Sequence, residues 1–324
     1  MPICRGTISS HGVPPSLQSP RLITDTHHVL VIGGGGFIGQ RICSTLAERA
    51  VICDVAAQTA VRGSIFVQRN VHDISGLAET MKEFEISHVI HLVGLPHIPT
   101  CQRDPGRSFE LNVSSVGSAL EAMRLSDVKT MIFASTAAVY GRPLSNPVSE
   151  SFPTNPLSTY GYHKLLAEKL VQCYVQNYGF SSMVFRIFNV YGGDFKHHDD
   201  AISTFIRNAI DGKPLSVTGG NQLRDFVHIE DVSASFTRAT HLDNSGFEIL
   251  NLGSGIPMSI LAVAETVRQV FPGKIVNDPK IQSSHYDIFS DNARLRSTLK
   301  INPSNPAMGI PDFVKGVSKS LLVA

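Results

Sequence analysis

Short apolar runs alternate along this chain with longer stretches in which apolar residues recur every three or four positions. The first run, His28-Val29-Leu30-Val31-Ile32, reads as a buried strand, and the spacing over 37–49 predicts a helix. The same alternation gives strands at 51–54, 65–67, 88–93, 130–134 and 182–187. Between them, helices are expected over 74–84, 105–124 and 160–178. Strands and helices of these lengths in alternation predict an α/β fold, a doubly wound parallel sheet with right-handed crossovers. After Val190 the rhythm changes: Gly, His and Asp cluster over 192–200, helices follow at 202–210 and 260–270, and short strands at 214–217 and 226–229. Residues 28–190 are therefore expected to form the cofactor-binding domain. Residues 191–324 are expected to form mainly a smaller substrate-binding α/β domain, with some segments returning to the first.

The first strand runs straight into Gly33-Gly34-Gly35-Gly36-Phe37-Ile38-Gly39. Gly33, Gly36 and Gly39 make a Gly-x-x-Gly-x-x-Gly pattern between a strand and a helix, the setting of a Rossmann dinucleotide fingerprint. The chemistry needs a tight turn, a backbone that can approach a pyrophosphate, and free amides at a helix N-terminus. Asp54 ends the second strand fifteen residues after Gly39. A carboxylate there accepts from the adenosine ribose hydroxyls and repels a 2′-phosphate, which favours NAD, while Arg62 keeps NADP as an alternative.

Charge and cysteine content narrow the classes. A net charge of +1 offers no general grip on nucleic acid or an anionic membrane, and no apolar run reaches the about 18 residues of a membrane span. Cys4, Cys43, Cys53, Cys101 and Cys173 are odd in number and scattered, which points to reduced thiols in the cytoplasm. Residues 1–27, rich in Ser and Pro, read as a disordered tail, with a short targeting segment as the alternative. His197-His198-Asp199-Asp200 reads as solvated surface, and no metal site is expected.

The chemistry centres on Tyr160-Gly161-Tyr162-His163-Lys164, with Glu168 four further on. In a helix, positions 160, 164 and 168 share a face, so a phenol and an ammonium meet at one spot. A phenol with a pKa near ~10 is a poor base at neutral pH, and a nearby cation favours its phenolate. Other stretches fall into a family order: His91-Leu92-Val93-Gly94, Asp104-Pro105 with Asn112-Val113, Ser135 to Gly141, Arg186 to Gly192, Arg224 to Asp231, and Asn251 to Gly255. With the glycine fingerprint and the Tyr–Lys pair, the chain over 29–303 resembles the extended short-chain dehydrogenase/reductases of the NAD-dependent sugar epimerase/dehydratase family.

This resemblance implies that Tyr160 is the general acid/base, that Lys164 holds the nicotinamide ribose and lowers the tyrosine pKa, and that Thr136 bonds the reacting oxygen. It implies cofactor contacts from Phe37, Ile38, Asp73 and Leu92, and diphosphate contacts from Asn189 and Arg224. It also implies a homodimer formed through the helix before the fifth strand and the helix bearing the tyrosine. Family dehydratases carry an Asp-Glu pair after the Ser/Thr; Ala137 and Ala138 stand here and can neither protonate nor deprotonate, so redox chemistry without dehydration is expected. The family's second diphosphate arginine is replaced within Ser284-His285-Tyr286-Asp287. His97 follows the fourth strand at the ligand edge and is a candidate substrate contact. The leading expectation is an NAD-dependent UDP-hexose 4-epimerase. The alternatives are a net sugar or uronate dehydrogenase or 4-keto reductase, and a catalytically silent NAD-binding regulator.

Overall fold

The computed structural model describes residues 27–56, 61, 63–196, 198, 200–243, 245–278 and 286–323. The expected tail over 1–26, Arg62, His197, Asp199, Ser284 and His285 lie outside the described residues. The first apolar run forms β1 (His28–Ile32), followed by α1 (Phe37–Leu46), β2 (Ala50–Asp54), β3 (Ile65–Gln68), α2 (Ile74–Glu83) and β4 (Ile86–His91). Two short helices, α3 (Ile98–Arg103) and α4 (Pro105–Phe109), lead to α5 (Ser115–Ser126). Then come β5 (Thr130–Thr136), α6 (Thr159–Tyr178), β6 (Ser181–Ile187) and β7 (Asn189–Tyr191). The remainder comprises α7 (Ala201–Ile210), β8 (Leu215–Val217), β9 (Leu223–His228), α8 (Ile229–Ala239), β10 (Phe247–Leu252) and β11 (Pro257–Ser259). It ends with α9 (Ile260–Val270), β12 (Ile275–Asn277), α10 (Ala293–Leu299) and α11 (Pro306–Val323).

Seven strands pair in the order β10-β6-β5-β4-β1-β2-β3, all neighbours parallel. Strand order reverses between β1 and β4, and in such sheets ligands bind at the carboxyl ends beside that reversal. Each face is covered by helices. On one side Leu77 and Met81 of α2, Val116 and Leu120 of α5 and Val171 of α6 pack on the strands. On the other, Ile42 and Leu46 of α1, Val232 and Phe236 of α8 and Leu295 of α10 do so. A smaller core gathers α7, α9 and α11 over β8 and β9, with Phe205, Val263 and Val314 buried. Its strands form a three-stranded sheet, β11-β9-β7, and a β12-β8 pair. Thus α8, β10 and α10, although they follow residue 191, belong to the packing of the large sheet.

The structure departs from two expected helices. The first stops at Leu46, and a 3-10 turn over Ala47–Arg49 carries the chain into β2. The helix expected over 105–124 is split by a π turn at Glu110–Ser114. The extra residue turns Asn112 inward, where Oδ1 accepts from Leu95 N at 3.0 Å and Nδ2 donates to Leu95 O at 3.2 Å. Such single π turns are tolerated where a side chain must be re-aimed.

Candidate functional site

The glycine turn at the end of β1 is shaped by close approach. Gly33 has φ +82°, and a Cβ there would lie 2.9 Å from Val93 N. A Cβ on Gly39 would lie 2.5 Å from Gly33 O and 2.7 Å from Gly34 Cα, so α1 seats on the turn only without a side chain. Among the described residues no side chain caps α1 at Gly36. The amides of its first turn, at Phe37 and Ile38, keep their donors for an anion. The Phe37 ring stacks on His198 with centroids 3.7 Å apart, while Ile38 packs toward the core under α1.

Asp54 ends β2 with its carboxylate pinned: Oδ2 accepts from Gly35 N at 2.9 Å and Oδ1 from Val55 N at 2.7 Å. Gly33, Gly36, Asp54 and Leu92 line one cleft of about 410 Å³, together with Asn70 and Val71. Asp73 is not among its lining residues. It caps α2, accepting from Gly76 N at 3.0 Å, and pairs with Arg69 at 2.9 Å. Asn70 and Val71, in the turn after β3, were missed because a carboxylate stands out in a sequence and a turn backbone does not.

Thr136 closes β5, and its hydroxyl accepts from Ala138 N at 3.2 Å; it also acts on the Tyr160 phenol, favouring its ionised form. Tyr160 is the second residue of α6, whose start is fixed by Ser158 accepting from Gly161 N at 3.1 Å. Burial pushes the phenol up to about 12, with Thr136 pulling it back in part. The Lys164 ammonium sits 4.4 Å from the centre of the Phe133 ring, and burial brings its own pKa down to about 7, opposed by Glu168. A Cβ on Gly94, which lines the cleft, would stand 3.9 Å from Lys164 Nζ. Lys164 therefore reaches the wall of that cleft, with Tyr160 one helical turn before it on α6. Glu168 does not point at that spot; its carboxylate turns inward to Arg186 at 2.7 Å.

Cys101 is a neighbour that the sequence did not flag: its thiol donates to Leu95 O at 3.1 Å, and it acts electrostatically on Tyr160. Ala137 is buried and Ala138 half-buried, and neither carries a proton donor or acceptor in its side chain. His91 is fully buried behind the cleft, with a pKa brought down to about 3 by burial. Among the described residues no group of three His, Cys, Asp or Glu is arranged to hold a metal.

The two expected diphosphate contacts meet on neighbouring strands. Asn189 of β7 pairs in register with Phe226 of β9, and its Nδ2 donates to Asp225 O at 2.8 Å. Arg224, in β9, donates to the carbonyls of Leu223, at 2.9 Å, and Tyr286, and lies 5.6 Å from the Tyr286 ring centre. Burial lowers its pKa. Asp287 is used structurally, accepting from Leu223 N at 2.8 Å. His97 stands exposed at the start of α3, with Nδ1 2.8 Å from Thr100 Oγ1.

Three comparisons agree with this layout. A protein of Methanocaldococcus jannaschii, provisionally named as a UDP-glucose 4-epimerase, is 32% identical over 83% of this chain and 91% of its own length. The solved UDP-glucose 4-epimerase of Thermotoga maritima, with UDP-glucose, has a TM-score of 0.83 at 23% identity, covering 91% of this chain and 99% of its own; it is a likeness of fold. That of Brucella ovis, in complex with NAD, has a TM-score of 0.78 at 26% identity, covering 86% and 94%. Residues 29–253 match the model described as the NAD dependent epimerase/dehydratase family, and the chain belongs to that family.

Proposed function

We propose that the protein is an NAD-dependent UDP-hexose 4-epimerase. The observation that carries this reading is Tyr160 and Lys164 one helical turn apart on α6, with Thr136 at the end of β5, Lys164 reaching the Gly94 wall of the cleft and plain alanines at 137 and 138. The glycine turn fits a dinucleotide: its close approaches forbid side chains, and its helix start has no side-chain cap. Gly33, Gly36, Phe37, Ile38 and Gly39 would hold the pyrophosphate, Asp54 the adenosine ribose, and Tyr160 and Lys164 the nicotinamide ribose. Bound NAD supplies a hydride acceptor that also returns the hydride.

In its phenolate form Tyr160 takes the proton of the sugar's 4-hydroxyl with Thr136 bonding the same oxygen, and as the resulting phenol later gives it back. Between the two transfers the 4-keto sugar turns over in the site. Asn189 and Arg224 would engage the diphosphate, the guanidinium by charge-assisted bonds. The Brucella ovis relative in complex with NAD supports the cofactor half of the reading, and the Methanocaldococcus jannaschii relative, provisionally named as a UDP-glucose 4-epimerase, the substrate half.

The protein is further proposed to form a homodimer through α4–α5 and α6, which present Phe109, Leu125, Tyr162 and Leu166 to solvent. A cytoplasmic setting is supported by free thiols at Cys43, Cys53, Cys101 and Cys173. No helix among the described residues is long and apolar enough to cross a membrane. The test is incubation of purified protein with UDP-galactose and no added NAD. UDP-glucose should accumulate; no conversion, with net NADH formation from another sugar, would replace the epimerase by a dehydrogenase.

A further inference from the structure

Glu168 lies one helical turn beyond Lys164 and two beyond Tyr160 on α6, and is 2% exposed. Its carboxylate is fully engaged. Ser135 Oγ donates to Oε1 at 2.5 Å, Arg186 Nε to Oε1 at 3.1 Å, and Arg186 Nη2 to Oε2 at 2.7 Å. Ser135 is the residue immediately before Thr136 on β5, and it pairs in register with Arg186 on β6. One carboxylate thus ties the helix bearing the phenol and the ammonium to the strand bearing the threonine. Arg186 extends the tie: its guanidinium lies 4.8 Å from the Tyr140 ring centre and donates to Glu150 O at 3.3 Å, and Tyr140 donates to Asn251 Oδ1 at 2.6 Å.

A buried ion pair is poor evidence for stability, because well-packed apolar residues of similar volume often serve as well or better. What apolar residues cannot supply is a directional register between helix and strand. We propose that Glu168, clamped by Arg186 and Ser135, is a positioning residue that registers α6 on β5 so that the Tyr160 phenol meets the Thr136 hydroxyl. The inference rests on the reaction proposed above. A second consequence concerns Lys164. Burial disfavours its ammonium and the Glu168 carboxylate supports it. Phe133 from β5 packs against it, His91 from β4 and Glu168 from its own helix act on it electrostatically, and Arg186 from β6 holds Glu168, with Tyr160 one turn before it on α6.

The test compares wild type with Glu168→Gln, the double variant Glu168→Met/Arg186→Met, and Ser135→Ala. Each is measured for kcat and KM on UDP-galactose against pH, for melting temperature, and for hydrogen exchange in the first turn of α6. The double variant should melt close to wild type and keep KM within about twofold, yet lose at least about tenfold in kcat, since small misplacements of reacting groups are costly. The alkaline limb of Glu168→Gln should move to lower pH, because there Lys164 loses the carboxylate that keeps it charged while Arg186 stays. A double variant with wild-type kcat would overturn the proposal and leave the pair as core filling. If the Glu168 variants do not fold, Ser135→Ala decides: it keeps the ion pair, and a fall of about threefold in kcat at unchanged melting temperature is expected. Wild-type kcat in Ser135→Ala would overturn the proposal. Should wild type itself lack epimerase activity, the reaction is wrong. Exchange then judges the register alone, with equal protection in all variants counting against it.

Discussion

A phenol pushed up to about 12 by burial gives up its proton reluctantly, and Thr136 draws it part of the way back. That makes the threonine more than a substrate anchor. Thr136→Ala should lower kcat by about 10- to 100-fold, and Thr136→Ser should recover most of it, whereas Tyr160→Phe should lose at least about 100-fold with the melting temperature unchanged. Steady-state kinetics with thermal melts checks all three. These residues were legible because helical spacing and the distance between motifs are properties of sequence. The direction of Glu168 was not. Spacing places it on the face of Tyr160 and Lys164, but a charge on a helix follows its best partner across the sheet, and Arg186 is supplied by a strand eighteen residues away. The cap and the ion pair that Asp73 makes, with Gly76 N and Arg69, were likewise not legible from its place in the sequence.

At the scale of elements, the glycine turn carries the strictest demand. Gly39 has no room for a methyl group, with Gly33 O at 2.5 Å from the place a Cβ would take. Gly39→Ala should therefore cost roughly 1–3 kcal/mol of stability by overpacking. It should also weaken NAD retention by at least about tenfold, since α1 must move off the turn whose amides receive the pyrophosphate. Calorimetry and cofactor content after gel filtration measure the two effects. Central strands of the large sheet were readable as apolar runs because both faces are buried. β10 was not, because as an edge strand its first half is only partly buried, and its pairing with β6 joins residues 65 positions apart. The π turn was equally hidden, since 105–124 has unbroken helical spacing and the interruption answers to Leu95, a partner outside the segment.

The molecule as a whole should be acid-sensitive. His88, in β4, is 5% exposed and burial brings its pKa down from 6.5 to about 4, with Arg49, His241 and His27 acting in the same sense. Between those values the unfolded chain binds a proton that the folded one refuses, so stability falls as pH drops from 6.5 toward 4. Near pH 5 this should cost about 2 kcal/mol, or about 4 °C in melting temperature, and a His88→Leu variant should show a shallower dependence. His91, lowered to about 3, acts in the same direction. The way the two cores are joined has a further consequence. The chain crosses between them at β6 to β7, at β9 to α8 and again at β10 to β11. Two of these crossings leave almost no loop, with one residue between β6 and β7 and none between β9 and α8. On so short a join, the proposed diphosphate contacts Asn189 and Arg224 are expected to keep a set distance from the Tyr160 phenol, so that ligands would be sorted by the reach from anion to reacting carbon.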